Sequence, residues 1–408
     1  MDTNTPGWIN ESFLTAVLQG ENEQKQELSI IKFAVSPAVA PGNNYFSHIY
    51  RVQVQYKHSK SPSTNSISLI VKSPVKVGFF CELSEKGNFF GKEKEVYSAL
   101  LPMLNEKLKY DFGPKSFYCP TKDELVLGDL LQEGYKVGDK YKHLDFSYCK
   151  IVIVNIAKFH GASVFLHHED PTIIDRTGDE AAYKIDTTNV GKPVLELYVK
   201  TVARIAKDTF GFDESAEFLL SKVETLWESM MTIVKKKAKG LNVLNHGDLW
   251  NNNILFKTDE YGEVVDVKFI DFQFSRYASP VLDVFYFIWT SASQEVQEHR
   301  QQELYNIYLQ TLNLSLAQLG CKERLTEEEL HQDLKASSDM FITILCQLLP
   351  CMIADRGNTF KLEDVKNSTE DPAGEEMDEN IKKMLSNKRY WTLFPMMLRE
   401  FHNWLRSV

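Results

Sequence analysis

Asp248, Asn253 and Asp271 are residues with which this chain could hold a cation and activate a hydroxyl. Asp248 and Asn253 stand five apart in the stretch NHGDLWNNNILF (245–256), and Asp271 lies at the end of the run EVVDVKFIDF. A polar loop tolerates such residues without using them. The flanking pattern sets these apart: NILFK, a turn at TDEYG, then EVVDVKFIDF reads as a β-hairpin. A hairpin folds back on itself, so the loop entering its first strand lies beside the end of its second. Two carboxylates and an amide oxygen gathered there are hard oxygen ligands of the kind Mg²⁺ takes. The order D-x-x-x-x-N, strand, Asp also matches the catalytic loop and metal-holding aspartate of phosphoryl-transfer enzymes. On that pattern Asp248 takes or orients the proton of an attacking hydroxyl, while Asn253 and Asp271 hold Mg²⁺ against nucleotide phosphates.

The nucleotide half is expected upstream. Lys72 ends the strand pattern ISLIVK (67–72). A strand-terminal lysine is commonly a solvated edge charge, but this one is placed to reach phosphates. Its partner would be a glutamate on the following helical pattern, NFFGKEKEVYSALLPML (88–104), where Glu93 and Glu95 both qualify and point to different faces. The segment GNNYFSHIYRV (42–52) is the candidate turn over the phosphates, with Asn44, Ser47 and backbone N–H groups as its contacts. It has one glycine and no G-x-G-x-x-G.

The elements that must position these residues divide the chain. The first third alternates like strands at Tyr50–Tyr56 and Ile67–Lys72, a hairpin across a polar turn, with a further short strand in ELVLGDL (124–130). From about Phe146 long helical patterns take over, at 148–166, 194–210, 216–237, 301–319 and 330–353, interrupted by the one hairpin. The polar, acidic stretch 366–380 reads as a mobile insertion.

Composition removes other classes. A net charge of −10 argues against a broad nucleic-acid or anionic-membrane surface. The densest apolar run, PVLDVFYFIW (280–289), carries Asp283 and is far shorter than the roughly 20 residues of a membrane span. No secretory signal is visible at the N-terminus, and six scattered cysteines without C-x-x-C read as reduced thiols, so a cytoplasmic location is expected. Three further residues read as support: His246 as a brace of its loop, His160 as a hydrogen-bonded core histidine, and Asp283 as a carboxylate at a helix start. The aromatic residues of VFYFIW read as core.

With these residues in view, the chain resembles the ecdysteroid kinase-like (CHK kinase-like) family, within the choline kinase and aminoglycoside phosphotransferase relatives of protein kinases. The resemblance rests on GNNYFSHIYRVQV, LIVKSP, FFGKEKEVYSALLP, LVLGDLLQEGYK, IAKFHGAS, LNHGDLWNNNILF and FIDFQFSRYASPVLDVFYFI, and it spans nearly the whole chain. It implies an α+β, bilobal protein-kinase-like fold. A small β-rich N-lobe (1–130) would end in a hinge, followed by a larger, mostly helical C-lobe (131–408). It implies ATP and Mg²⁺ as cofactors, Asp248 as catalytic base, Asn253 and Asp271 as metal ligands and Lys72 as the phosphate-contacting lysine. Glu93 becomes the better partner of Lys72, because it stands four residues before Tyr97. Leu127 and Asp129 fall in the hinge, where backbone groups would meet adenine. That hinge reads Leu-Gly-Asp-Leu where the family commonly has Leu-Glu-Asp-Leu.

The implied function is phosphorylation of a hydroxyl on a small molecule, an ecdysteroid alcohol by the family's name. The alternatives are a detoxifying kinase for xenobiotics or their glycosides, or a catalytically inactive nucleotide-binding protein or ligand carrier. A protein kinase fits poorly, since the chain has no Asp-Phe-Gly and no Ala-Pro-Glu.

Overall fold

The computed structural model describes residues 6–21, 27–39, 46–59, 61, 63–77, 79–139, 141–355, 357–358 and 373–408. Helix α1 (Glu11–Gln19) starts where the Asn10 side chain accepts a hydrogen bond from the Phe13 N–H. Strands β1 (Leu28–Pro37), β2 (Ser47–His58) and β3 (Thr64–Pro74) form an antiparallel meander. The expected hairpin is β2–β3, with Tyr50 opposite Val71. Helices α2 (Phe79–Gly87), α3 (Phe89–Glu95) and α4 (Leu101–Leu108) follow, then β4 (Ser116–Phe117) and β5 (Leu125–Gly128). The sheet runs β1-β2-β3-β5-β4. Alternation sends Val52, Val54, Leu69 and Val71 to one face, where they bury against Phe13, Leu14 and Val17 of α1.

The helical pattern 88–104 is interrupted. Residues Val96–Leu100 form a π turn between α3 and α4. Such a turn inserts a residue into the helical repeat and re-aims the side chains around it, and it often marks a functional site.

The larger part opens with the short strand β6 (Lys136–Val137) and then α5 (Phe146–Glu169), which is capped by Asp145. After α5 come α6 (Pro171–Thr177), α7 (Thr188–Phe210) and α8 (Asp213–Ile233), the short strand β7 (Val243–Asn245), and the hairpin β8 (Ile254–Thr258) with β9 (Val264–Phe269). Strand β10 (Arg276–Ala278) pairs antiparallel with β7. Helices α9 (Val281–Ser291), α10 (Gln294–His299), α11 (Gln301–Gln318), α12 (Glu327–Ala336), α13 (Met340–Thr343), α14 (Leu349–Ile353), α15 (Glu375–Leu385) and α16 (Lys388–Ser407) complete the chain. The α+β, bilobal arrangement is as expected: a small antiparallel sheet beside a larger helical part.

Two further readings change. The pattern at 330–353 is not one helix: α12 and the α13–α14 segment meet at 51°. Of the stretch 366–380, residues 366–372 lie outside the described residues. Residues 375–380 begin α15, held by buried Met377 and by Asp378 Oδ1 accepting from Thr201 Oγ1 at 2.8 Å. A polar sequence hid one apolar face. Finally, α5 is 24 residues long with a mean hydropathy of 1.4 in its apolar window, enough by length and composition to cross a membrane. That window is 72% buried inside the fold, so its apolar character serves the core. All six cysteines are free thiols.

The large core ends on α16. Phe401 stacks on Phe341 with ring centroids 4.0 Å apart, and Trp289 meets Phe341 edge-on at 4.9 Å. Phe401→Ala should therefore destabilise the protein by about 3–5 kcal/mol. Urea unfolding should show the lower midpoint, and an unchanged midpoint would remove α16 from the core.

Candidate active site

The hairpin brings its two ends together as its sequence required. Ile270 N–H donates to the Asn253 carbonyl at 2.9 Å, so Asn253 and Asp271 leave the strands side by side. The loop before β8 is fixed from behind by Asp283 in the first turn of α9. Its carboxylate, 1% exposed, accepts from His246 N–H at 2.6 Å and Gly247 N–H at 2.9 Å. His160 Nε2 lies 3.1 Å from the same carboxylate, and its Nδ1 lies 2.7 Å from the Tyr308 hydroxyl. Burial works against a charge on Asp283, but His160, His246 and the loop N–H groups outweigh it and hold the carboxyl below its usual range. Gly247 has φ +85°, and a Cβ there would lie 1.9 Å from the Phe274 carbonyl oxygen, so only glycine fits.

His246 is a brace, as expected. Its Nε2 meets the Ile270 carbonyl at 2.9 Å, and Nδ1 accepts from Asp248 N–H at 3.3 Å. Burial lowers its pKa and so favours the neutral ring.

The loop presents Asp248 with both oxygens engaged. Oδ2 accepts from Asn253 Nδ2 at 2.9 Å and Oδ1 from the Tyr286 hydroxyl at 2.6 Å. Burial pushes this carboxyl up to about 7; the Tyr286 and Asn253 hydrogen bonds and Arg276 oppose the shift, while Asp271 adds to it. Tyr286 departs from the reading of VFYFIW as core. It is buried, but its hydroxyl reaches the reactive loop. The signal lay in the spacing, because Asp283 and Tyr286 share a helix face at i, i+3.

Across the site, Lys72 Nζ lies 2.7 Å from Glu93 Oε2 and 2.9 Å from Asp271 Oδ1. Burial alone would lower the lysine, yet Asp271 and Glu93 outweigh it and hold the ammonium above its ordinary value. Glu95, the other candidate, pairs instead with Arg176 at 2.6 Å. Asp271 sits in the left-handed region at φ 69°, ψ 64°, which costs a non-glycine residue roughly 1–3 kcal/mol. Its N–H donates to the Tyr97 hydroxyl at 3.0 Å. Tyr97 lies in the π turn, and its hydroxyl gives it a part beyond its four-residue spacing from Glu93.

The remaining expected contacts belong to the sheet and the hinge. Asn44 lies outside the described residues. Ser47 is buried at the start of β2, opposite Pro74. Leu127 is buried within β5, paired with Ile70 and Ser116. The Asp129 carboxylate is committed to Arg51 Nε and Ser68 Oγ, each at 2.7 Å, and to Leu131 N–H at 3.2 Å. The N–H groups of Gly128 and Asp129 donate to the Lys115 and Ser68 carbonyls. Asp129 therefore braces the sheet, and neither it nor Leu127 lines the cavity.

That cavity measures about 820 Å³. Asp248, Asn253 and Asp271 line one part, and Tyr183, Val194, Trp227, Met230 and Met352 make much of the remainder apolar. The donor set suits a divalent cation. The Asn253 amide nitrogen is tied to Asp248, which leaves Oδ1 to be offered, and Asp271 keeps Oδ2 outside the Lys72 contact. Two hard oxygens at the end of one hairpin match what Mg²⁺ takes.

The raised Asp248 carboxyl has a testable consequence. Its folded pKa, about 7, lies above the unfolded value near ~4, so the folded state holds the extra proton between the two. That contribution to stability is complete below ~4 and is lost as pH rises through about 7. Melting curves should show Asp248→Asn gaining on wild type between pH 5 and pH 8; a constant difference would mean an unshifted carboxyl.

Comparison with known proteins adds the lineage. A choline/ethanolamine kinase family protein from Mesorhizobium loti is 9% identical, over 90% of this chain and 92% of that one, with a TM-score of 0.35. A glucosamine kinase in complex with glucosamine, ADP and inorganic phosphate is 11% identical, over 85% of this chain and 97% of that one, with a TM-score of 0.37. A search of curated proteins finds no match. The profile of the ecdysteroid kinase-like family matches residues 41–321, more than half of the chain, including Lys72, Glu93, Asp248, Asn253 and Asp271, and the chain belongs to that family.

Proposed function

We propose that the chain is an ATP-dependent kinase that transfers the γ-phosphate to a hydroxyl of a small molecule. The observation that carries this reading is the convergence of Asp248, Asn253 and Asp271 on one cavity, with Lys72 and Glu93 paired against Asp271. Phosphoryl transfer asks a protein for placement and charge neutralisation more than for covalent chemistry. Transfer breaks the bond from the γ-phosphorus to its bridging oxygen, forms one to the acceptor oxygen, and releases the acceptor's proton and ADP.

Asp248 receives that proton. Tyr286 and Asn253 hold its two oxygens in place, and each oxygen keeps a lone pair for the acceptor. A carboxyl near 7 is matched to the task, since a base works best when its pKa lies near the operating pH. Lys72, kept protonated, offers positive charge to nucleotide phosphates, and Glu93 holds it in line. Asn253 Oδ1 and Asp271 Oδ2 would hold Mg²⁺, which supplies charge neutralisation at the β- and γ-phosphate oxygens when bound. The apolar walls support an acceptor with a largely apolar body and one reactive hydroxyl, such as a steroid alcohol.

Incubating the protein with ATP, Mg²⁺ and a panel of steroid alcohols, phenols and glucosides, read by mass spectrometry, should reveal a phosphorylated product. No phosphorylated product from any class of acceptor would count against the reading. On the acceptor so found, Asp248→Asn should cut kcat by roughly 10²–10⁴-fold while ATP·Mg still binds. Activity near wild type would remove Asp248 as the base. Asp271→Ala should weaken ATP·Mg binding itself in a thermal-shift titration, and unchanged affinity would rule out its metal role.

A further inference from the structure

Arg276 has entered so far only as a charge that acts on Asp248. Its position is unusual for an arginine: it is 7% exposed, yet it lines the cavity that holds Asp248 and Asp271. Strand pairing fixes the placement, since Arg276 lies opposite Asn245, three residues before Asp248. Only one edge of the guanidinium is engaged. Nε lies 3.1 Å from Glu180 Oε2 and 3.4 Å from the Phe274 carbonyl oxygen. Among the described residues, neither Nη atom has a hydrogen-bond partner. The Nη edge of this largely buried side chain thus stands at the cavity wall, open to a ligand.

The charges around it say what the fork is for. Arg276 is the one lysine or arginine among the described residues lining the cavity, against the carboxylates of Asp139, Asp248, Asp271 and Asp283. Lys72 is already shared by two carboxylates. Lys92, also buried nearby, gives its ammonium to the carbonyls of Asp179 and Ser275. Asn253 and Asp271 would hold a metal on the nucleotide side. The Asp248 side, where the transferred group arrives, has Arg276 alone, and its charge is felt by Asp248 itself. An acceptor carrying its own anion would compete for this single cation. The transferred group carries oxygens in the arrangement that a guanidinium binds two at a time.

Resting on the kinase reading, we propose that Arg276 is a catalytic residue whose Nη atoms take two oxygens of the phosphoryl group as it passes from ATP to the acceptor. An arginine so placed is worth roughly 10³-fold or more in kcat. The test needs no identified acceptor. Aluminium fluoride with ADP·Mg mimics the group in flight, and the melting temperature of the full-length protein reads its binding. Wild type should rise with ADP·Mg and rise further on addition of aluminium fluoride. Arg276→Met should keep the first shift and lose the second, and Arg276→Lys, which retains charge without the fork, should keep only part of it. A purely structural role through Glu180 would lower the starting temperature of Arg276→Met and leave the fluoride increment intact, which overturns the proposal. Should Arg276→Met fail to fold, a full increment in Arg276→Lys overturns it equally. Absence of any ADP·Mg shift in wild type would instead sink the kinase reading, and this role with it.

Discussion

One buried ammonium joins the parts of this protein that must act together. Lys72 comes from the third strand of the sheet, Glu93 from α3, and Asp271 from the end of a hairpin 199 residues away. A charge taken out of water is tolerated only when paired and hydrogen-bonded. Each of the three therefore helps to fix the other two, and loss of Lys72 would leave two carboxylates facing each other without their cation, at a cost of several kcal/mol. The sheet, α3 and the hairpin are locked in one relative geometry by this requirement. The left-handed backbone of Asp271 is sustained by it as well, with Tyr97 holding the amide from the other side.

A second buried charge does for the reactive loop what Lys72 does for the two halves. Asp283 collects the N–H groups of His246 and Gly247 and faces His160, so the loop is pinned to α9 and α5 before any substrate arrives. Tyr286, one turn further along α9, then fixes Asp248. A single helix thus sets both the backbone and the side chain of the residue read as the base. Its near-continuous burial is what gives it the stiffness to do so.

What could be read from the sequence was what short range determines. Strand alternation, a turn and a spacing of five placed Asp248, Asn253 and Asp271 together, and the structure joins them through the Ile270–Asn253 hydrogen bond. The preference for Glu93 over Glu95 also held in the geometry. What escaped depends on partners remote in sequence. The commitment of the Asp129 carboxylate is one case: Arg51 and Ser68, 78 and 61 residues upstream, claim it. The pairing of β7 with β10 spans three residues per strand, too few to alternate visibly. The π turn, the bend before α13 and the buried face of α15 each override local helical or polar character through packing, which a window of sequence does not contain. Arg276 escaped because an arginine in a strand-like triplet is ordinary until it is seen to line the cavity.

The central claim is that Asn253 and Asp271 share one divalent ion in front of Asp248. A crystal structure with a non-hydrolysable ATP analogue and Mn²⁺, located by its anomalous signal, tests it most directly. The account predicts the ion within roughly 2.0–2.3 Å of Asn253 Oδ1 and an Asp271 oxygen, with the terminal phosphate between that ion and Asp248. An ion bound away from this pair, or a terminal phosphate turned from Asp248, would contradict it.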